Sequence, residues 1–232
     1  MSSEDSTTVT RCAGLFLIVT SSLGLFLNVS VFFHFLSLER TGFYLMCISK
    51  TISNSLILLI YLTYNGPSAL LFTVLGSDRI NRYMNQAVAY GIYIQGPLTQ
   101  TLISINRFLV VWTGATSIPR YSNPVTVATL AFFWLLSIYL STLPGVSEVC
   151  MIKLTLNPLD WSAEVCHYAA IDAILDHFIH FVAFLALFSN LLNFLVVLKL
   201  IHTSLVRRVV GVMQTRSAVT GAREFERRRW IS

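Results

Sequence analysis

Of the 232 residues, 55 % are apolar and only 12 % charged, half the roughly 25 % typical of a soluble domain, which excludes an ordinary soluble protein and leaves lipid as the main solvent. The net charge of +5 does not indicate a nucleic-acid partner, because eight of the 16 Lys and Arg residues lie after Leu198 in a tail whose aromatic residues are only Phe225 and Trp230. A basic tail behind an apolar helix reads as a cytoplasmic flank.

A polar stretch, residues 1–11, leads into the apolar run 12–36, whose 25 residues exceed the roughly 7–15 of a signal-peptide core and lack a small-x-small cleavage site. It is the first predicted span, since about 20 apolar residues cross a bilayer. The second, 43–64, is interrupted only by Lys50 and is expected to stop at the turn signal "YNGP". The third, 84–112, contains Gly96-Pro97 and ends in Asn106-Arg107; the fourth, 125–143, stops at "LPG". The fifth begins between Ile171 and Phe178 and is taken as 174–201, leaving 202–232 as a basic cytoplasmic tail. The expected fold is an all-α, polytopic membrane helix bundle occupying residues 1–201.

With the N-terminus outside, the inner segments 37–42, 113–124 and the tail account for eleven basic groups, including Arg40, Arg107 and Arg120. The outer segments hold four: Arg11, Arg79, Arg82 and Lys153. The Lys/Arg excess sets this orientation, with loop 65–83 the piece that disagrees. Arg107 then falls near the cytoplasmic end of the third span, where its stem can carry the guanidinium to the interface. Lys50 lies about 10 Å deep at 1.5 Å per residue; snorkelling and pairing inside the bundle are both open to it.

Polar side chains within the spans should meet one another: Gly24 and Asn28 in the first, Ser49, Ser53 and Asn54 in the second, Gln95, Gln100, Ser104 and Asn106 in the third, Asn190 and Asn193 in the fifth. Interhelical hydrogen bonds, worth about 0.6 kcal/mol each in membranes, account for most of them. At the start of the fifth span Asp172, Asp176 and His180 share a helical face. With Gln95 they are candidates for ligand binding, although carboxylates there also simply complement the helix dipole. No phosphate-binding glycine loop, HExxH or Gly-x-Ser-x-Gly motif occurs, so neither an enzyme, a cofactor nor a metal site is expected. Arg227-Arg228-Arg229 reads as a solvated face, an anionic-lipid contact or a retention signal.

"GLFLNVSVFFHFL", "LMCISKTISNSLILLIY" and "ISINRFLVVW" together resemble the nematode serpentine chemoreceptors, class x, over about residues 15–200. These are seven-helix, G-protein-coupled receptors. The resemblance implies that Asn106, Arg107 and Phe108 form the triplet that ends the third helix, with Arg107 meeting a heterotrimeric G protein. Asn106 stands where most receptors carry an acid, which removes a charge-assisted restraint of about 1.5–3 kcal/mol. It further implies that Asn28 ties the first two helices together through Asn54, that Trp134 is a packing residue, and that an unidentified small external molecule or peptide is the ligand.

Within loop 144–170, Cys150 and Cys166 are separated by fifteen residues, and no cysteine opens the third span. A disulfide between them, around Trp161 as the resemblance suggests, is expected to stabilise the loop by about 3 kcal/mol; two unpaired thiols are the other reading. Five of the family's seven helices are counted, so a truncated form is expected. It would lie in the plasma membrane, or be held in the endoplasmic reticulum if incomplete, and receptor dimerisation is possible for it. The competing readings are a small transporter or channel component and a non-signalling receptor fragment.

Overall fold

The computed structural model describes residues 3–38, 41–113, 122–144, 147–163 and 177–204. They form an antiparallel bundle of five long helical passes, four of which, Ser6–Leu36, Gly42–Leu71, Pro124–Thr142 and His177–Ser204, are long and apolar enough by themselves to cross a membrane. The first pass is α1 (Ser3–Leu36). The second comprises α2 (Gly42–Ile60), a π-turn (Tyr61–Asn65) and α3 (Gly66–Leu71). The third comprises α4 (Asp78–Gln86), a π-turn (Ala87–Gly91) and α5 (Ile92–Thr113). α6 (Ser122–Thr142) and α7 (His177–Ser204) complete the set.

The sequence places each pass but misjudges three ends; the first helix already begins at Ser3 rather than 12. "YNGP" does not stop the second helix. Its Gly66 N–H bonds the Tyr61 carbonyl five residues back. The extra residue of the π-turn brings Pro67 into the first turn of α3, where a missing N–H costs nothing. The helix ends instead at Phe72, in the left-handed region at φ 53°. The third pass starts at Asp78 rather than 84, because Ser77 caps it, its hydroxyl accepting from Ile80 N at 3.3 Å. Gly96-Pro97 does not break it, since Pro97 lies inside α5. The segment 202–232 is described only to Ser204.

The bundle is mostly helical, as expected, with one small addition. β1 (Ile152–Leu156) and β2 (Leu159–Ala163) pair antiparallel with Leu154 opposite Trp161, and a cis Asn157-Pro158 peptide sits in their turn. This hairpin closes one end of the bundle. Two glycines let helices approach closely. A Cβ on Gly14 would stand 2.3 Å from the Leu70 backbone nitrogen, and one on Gly91 1.8 Å from Ser141 Oγ. Small residues at such crossings are how membrane helices gain packing contact.

Two apolar clusters hold the ends together. Beneath the hairpin, Ile94, Leu140, Leu143, Met151 and Phe178 form one, with Tyr90 edge-on to Phe178 at 4.7 Å. At the far end Met46, Cys47, Ile103 and Leu130 form the other.

Candidate functional site

The hairpin end is a plug held by polar side chains of α4. Asn81 treats β1 as a neighbouring strand would: its Nδ2 donates to the Leu154 carbonyl at 2.9 Å and its Oδ1 accepts from Leu154 N at 3.1 Å. One turn on, Asn85 donates back to Asn81 Oδ1 at 2.7 Å and accepts from Trp161 Nε1 at 2.9 Å. Gln86 bridges two elements, accepting from Ile152 N at 3.2 Å and donating to the Leu140 carbonyl of α6 at 2.9 Å. From α1, Thr10 donates to the Leu156 carbonyl at 3.3 Å and Ser6 to Asn157 Oδ1 at 3.2 Å. Asn81, Asn85 and Gln86 are all but inaccessible, so the bonds to Leu154, Ile152 and Leu140 are made away from water, where leaving one unmade costs most.

The arginines that disagreed with the charge count are part of this clamp. Arg82 is buried; its Nε meets Asp78 Oδ2 at 2.8 Å and its Nη1 donates to the Glu148 carbonyl at 3.1 Å. Arg79 pairs with the Glu148 carboxylate at 2.8 Å on the surface. Cys150 is disulfide-bonded, whereas Cys12 and Cys47 are free. Cys166, Asp172 and Asp176 lie outside the described residues.

At mid-depth the third pass contacts its neighbours through a second polar node. Ser49 Oγ accepts from Gln95 Nε2 at 2.9 Å and from Trp134 Nε1 at 3.0 Å, joining α2, α5 and α6 at one hydroxyl. Trp134 is thus more than the packing residue expected. Gln95 is fully buried in this node, which removes it from any open ligand pocket. Nor does the structure join Asn28 to Asn54. Asn28 donates to the Gly24 carbonyl of its own helix at 2.8 Å, while Asn54 lines a crevice on the other side of α2. His180 is on an exposed face of α7.

That crevice, about 460 Å³, runs between α2, α5 and α7. Lys50, Asn54, Gln100 and Asn190 supply its polar lining, and Ile57, Pro97 and Ala186 belong to its apolar lining. Lys50 Nζ donates to Gln100 Oε1, so pairing inside the bundle prevails over snorkelling. Close by, Thr101 and Ser189 share a hydroxyl contact of 2.8 Å between α5 and α7.

The end opposite the hairpin carries cations held on aromatic rings. Arg107 is exposed, with its guanidinium 5.5 Å from the Phe43 ring centre. Phe108 stacks on Trp112 at 4.9 Å, and Lys199 Nζ lies 5.5 Å from the other partner of that stack, the Trp112 ring. Asn106 is half-buried beside them. The triplet named from sequence is therefore brought to the mouth of the bundle, at the ends of α2, α5 and α7.

Sequence reasoning missed Asn81, Asn85 and Gln86, the residues that carry the plug. Their signal was present: carboxamides at i and i+4 directly before an apolar helix. The sequence reading leaves Asn81 in loop 65–83 and passes over Asn85 and Gln86 at the start of the third span.

Antiparallel membrane helices around a polar central pass, with a clamped hairpin at one end and an exposed arginine at the other, define a bundle of the rhodopsin type. Squid rhodopsin, among the solved structures that match, superposes with a TM-score of 0.66 at 17 % identity, over 85 % of this chain and 54 % of that one. The likeness is one of fold, and the chain spans about half the length of that protein. No curated protein sequence matches. The family model for the serpentine type 7TM GPCR chemoreceptor Srx matches residues 18–225. The chain belongs to this family, which is one of receptors and not of enzymes.

Proposed function

We propose that the chain is the chemosensory part of a G-protein-coupled receptor that detects a small external molecule, with its N-terminus and hairpin outside and Arg107 facing the cytoplasm. The observation that carries this reading is the position of Arg107: at the end of the third pass, exposed, opposite the hairpin, in a chain of the Srx family. A guanidinium resting on Phe43 is available to a G protein without first leaving a carboxylate. Asn106 offers no charge to restrain it, so some activity without ligand is expected. Asp176 and His180 contribute to ligand recognition in this reading, and a Cys150–Cys166 bond anchors the hairpin. The plasma membrane is the working location.

Ligand-independent nucleotide exchange tests the reading before any ligand is identified. In membranes holding the chain and a heterotrimeric G protein, Arg107→Ala should abolish receptor-dependent GTPγS uptake and Asn106→Asp should lower it. Uptake indifferent to Arg107 would count against the proposal. A transporter has less support, because Gly96-Pro97 leaves α5 continuous and paired broken helices are what midplane transport sites use.

A further inference from the structure

We infer that the crevice between α2, α5 and α7 holds a small, free monocarboxylic acid with an apolar body, its carboxylate beside Lys50. The inference deepens the receptor reading, on which it rests, by naming the chemistry of the external molecule. The crevice, about 460 Å³, falls within the roughly 300–1,000 Å³ of small-molecule sites. Its two ends differ. Lys50 and Gln100 mark one, and Tyr61 and Val88 the other. Tyr61 is about 16 Å farther along its helix than Lys50 at 1.5 Å per residue. Between the ends, Ile57 and Pro97 line an apolar wall. Gly96 belongs to the same wall, and a Cβ built on it would meet nothing within 4 Å. A larger side chain there would fill the crevice without disturbing the packing around it.

Hydrogen-bonding capacity decides the polar end of the ligand. Lys50 Nζ donates to Gln100 Oε1, which occupies the accepting atom of that carboxamide. The Nε2 hydrogens of Gln100 and the remaining ammonium hydrogens are then the donors at this end, and they call for an acceptor. Charge decides which acceptor. An ammonium taken out of water needs an anion beside it, and Gln100 is neutral. The ion pairs among the described residues, Arg79–Glu148 and Arg82–Asp78, both lie at the hairpin end. Residues 6–36, 42–71, 79–113, 122–142 and 177–204 contain no Asp or Glu. A phospholipid does not supply the anion, because its headgroup stays at the interface whereas Lys50 lies about 10 Å deep. An inorganic anion has nothing to set against Ile57 and Pro97. A small acid satisfies both ends, with its carboxylate at Lys50 and its body running outward along the apolar wall.

The test uses the full chain in zwitterionic nanodiscs and decanoic acid carrying a photoreactive diazirine at its far end. After illumination, peptide mass spectrometry locates the attached label. Saturable labelling near Tyr61 and Val88 is expected. Unlabelled decanoate should compete about tenfold better than decanamide, the low end for a hydrogen bond to a charged group. Lys50→Gln should erase that difference, and Lys50→Glu should pass the preference to decylammonium. Such an exchange of preference requires a folded bundle, so misfolding cannot imitate it. Gly96→Leu should abolish the labelling by filling the crevice. Equal competition by decanoate and decanamide on the wild-type chain would overturn the inference. So would labelling confined to lipid-facing residues such as Phe16, Phe26 and Leu187, since the acid would then only be dissolved in the bilayer. No readout involves a G protein, so this inference and the signalling proposal fail separately.

Discussion

The first and third passes occupy the same bilayer and have opposite compositions. α1 turns Phe16, Leu23, Phe26, Leu27 and Phe33 outward, each above 60 % exposed, and only 6 % of its most apolar window is buried against the rest of the chain. The third pass buries Asn85, Gln86, Gln95, Thr99 and Ser104 completely, and it is not among the helices apolar enough to qualify as a span alone. The difference teaches that apolarity measures contact with lipid, not depth in the membrane. A helix ringed by other helices can carry carboxamides and hydroxyls because it faces protein, and its neighbours answer Asn85, Gln86 and the Gln95 amide nitrogen, whereas a peripheral helix must satisfy lipid.

Breaking the third pass where it is closest to its neighbour should have the largest effect. Gly91→Val would drive side-chain atoms into Ser141, whose Cα lies 2.8 Å from a Cβ built at Gly91. Such overpacking costs about 1–3 kcal/mol or more, and loss of a monodisperse peak on size-exclusion chromatography is expected. Adding Ser141→Gly should recover part of the peak.

Next comes the clamp. Asn81→Leu removes both bonds to Leu154 and the acceptor used by Asn85. Each buried group left unpaired costs about 1–3 kcal/mol, so thermal unfolding in detergent should occur several degrees lower. Protease cleavage between residues 147 and 163 should speed up as the hairpin lifts.

Ser49→Ala is expected to cost less, about 1 kcal/mol, because the two bonds from Gln95 and Trp134 are each worth about 0.6 kcal/mol in a membrane. Trp134 fluorescence should change as the indole loses its acceptor. On the first pass, Phe26→Leu should shift stability by less than about 0.5 kcal/mol, as surface changes do. An equal loss of stability from Phe26→Leu and Ser49→Ala would erase the distinction between a lipid-facing and a helix-facing pass.

Chain-level features were legible before the structure: the membrane class, the existence and order of the five passes, though with ends off by up to about nine residues, and Arg107 at one mouth of the bundle. Periodic apolar runs and a lone cation near a helix end carry those signals locally. Hydrogen-bond partners were not legible. The family resemblance pairs Asn28 with Asn54, yet one bonds within its own turn and the other faces a crevice. Gln95 looked like a ligand contact and is enclosed by Ser49 and Trp134. A polar residue in a span announces that it has a partner without saying on which side of the helix the partner lies.

What the sequence by itself determined is thus the solvent of each helix, because about 20 consecutive residues either can or cannot face lipid. Tertiary structure alone decided the rest. It carried the second helix through "YNGP" by a π-turn, recruited Asn81 as a surrogate strand edge for the hairpin, and left Lys50 on an uncovered polar face. Those outcomes depend on rotations of one helix about another, which the order of residues along a single helix does not encode.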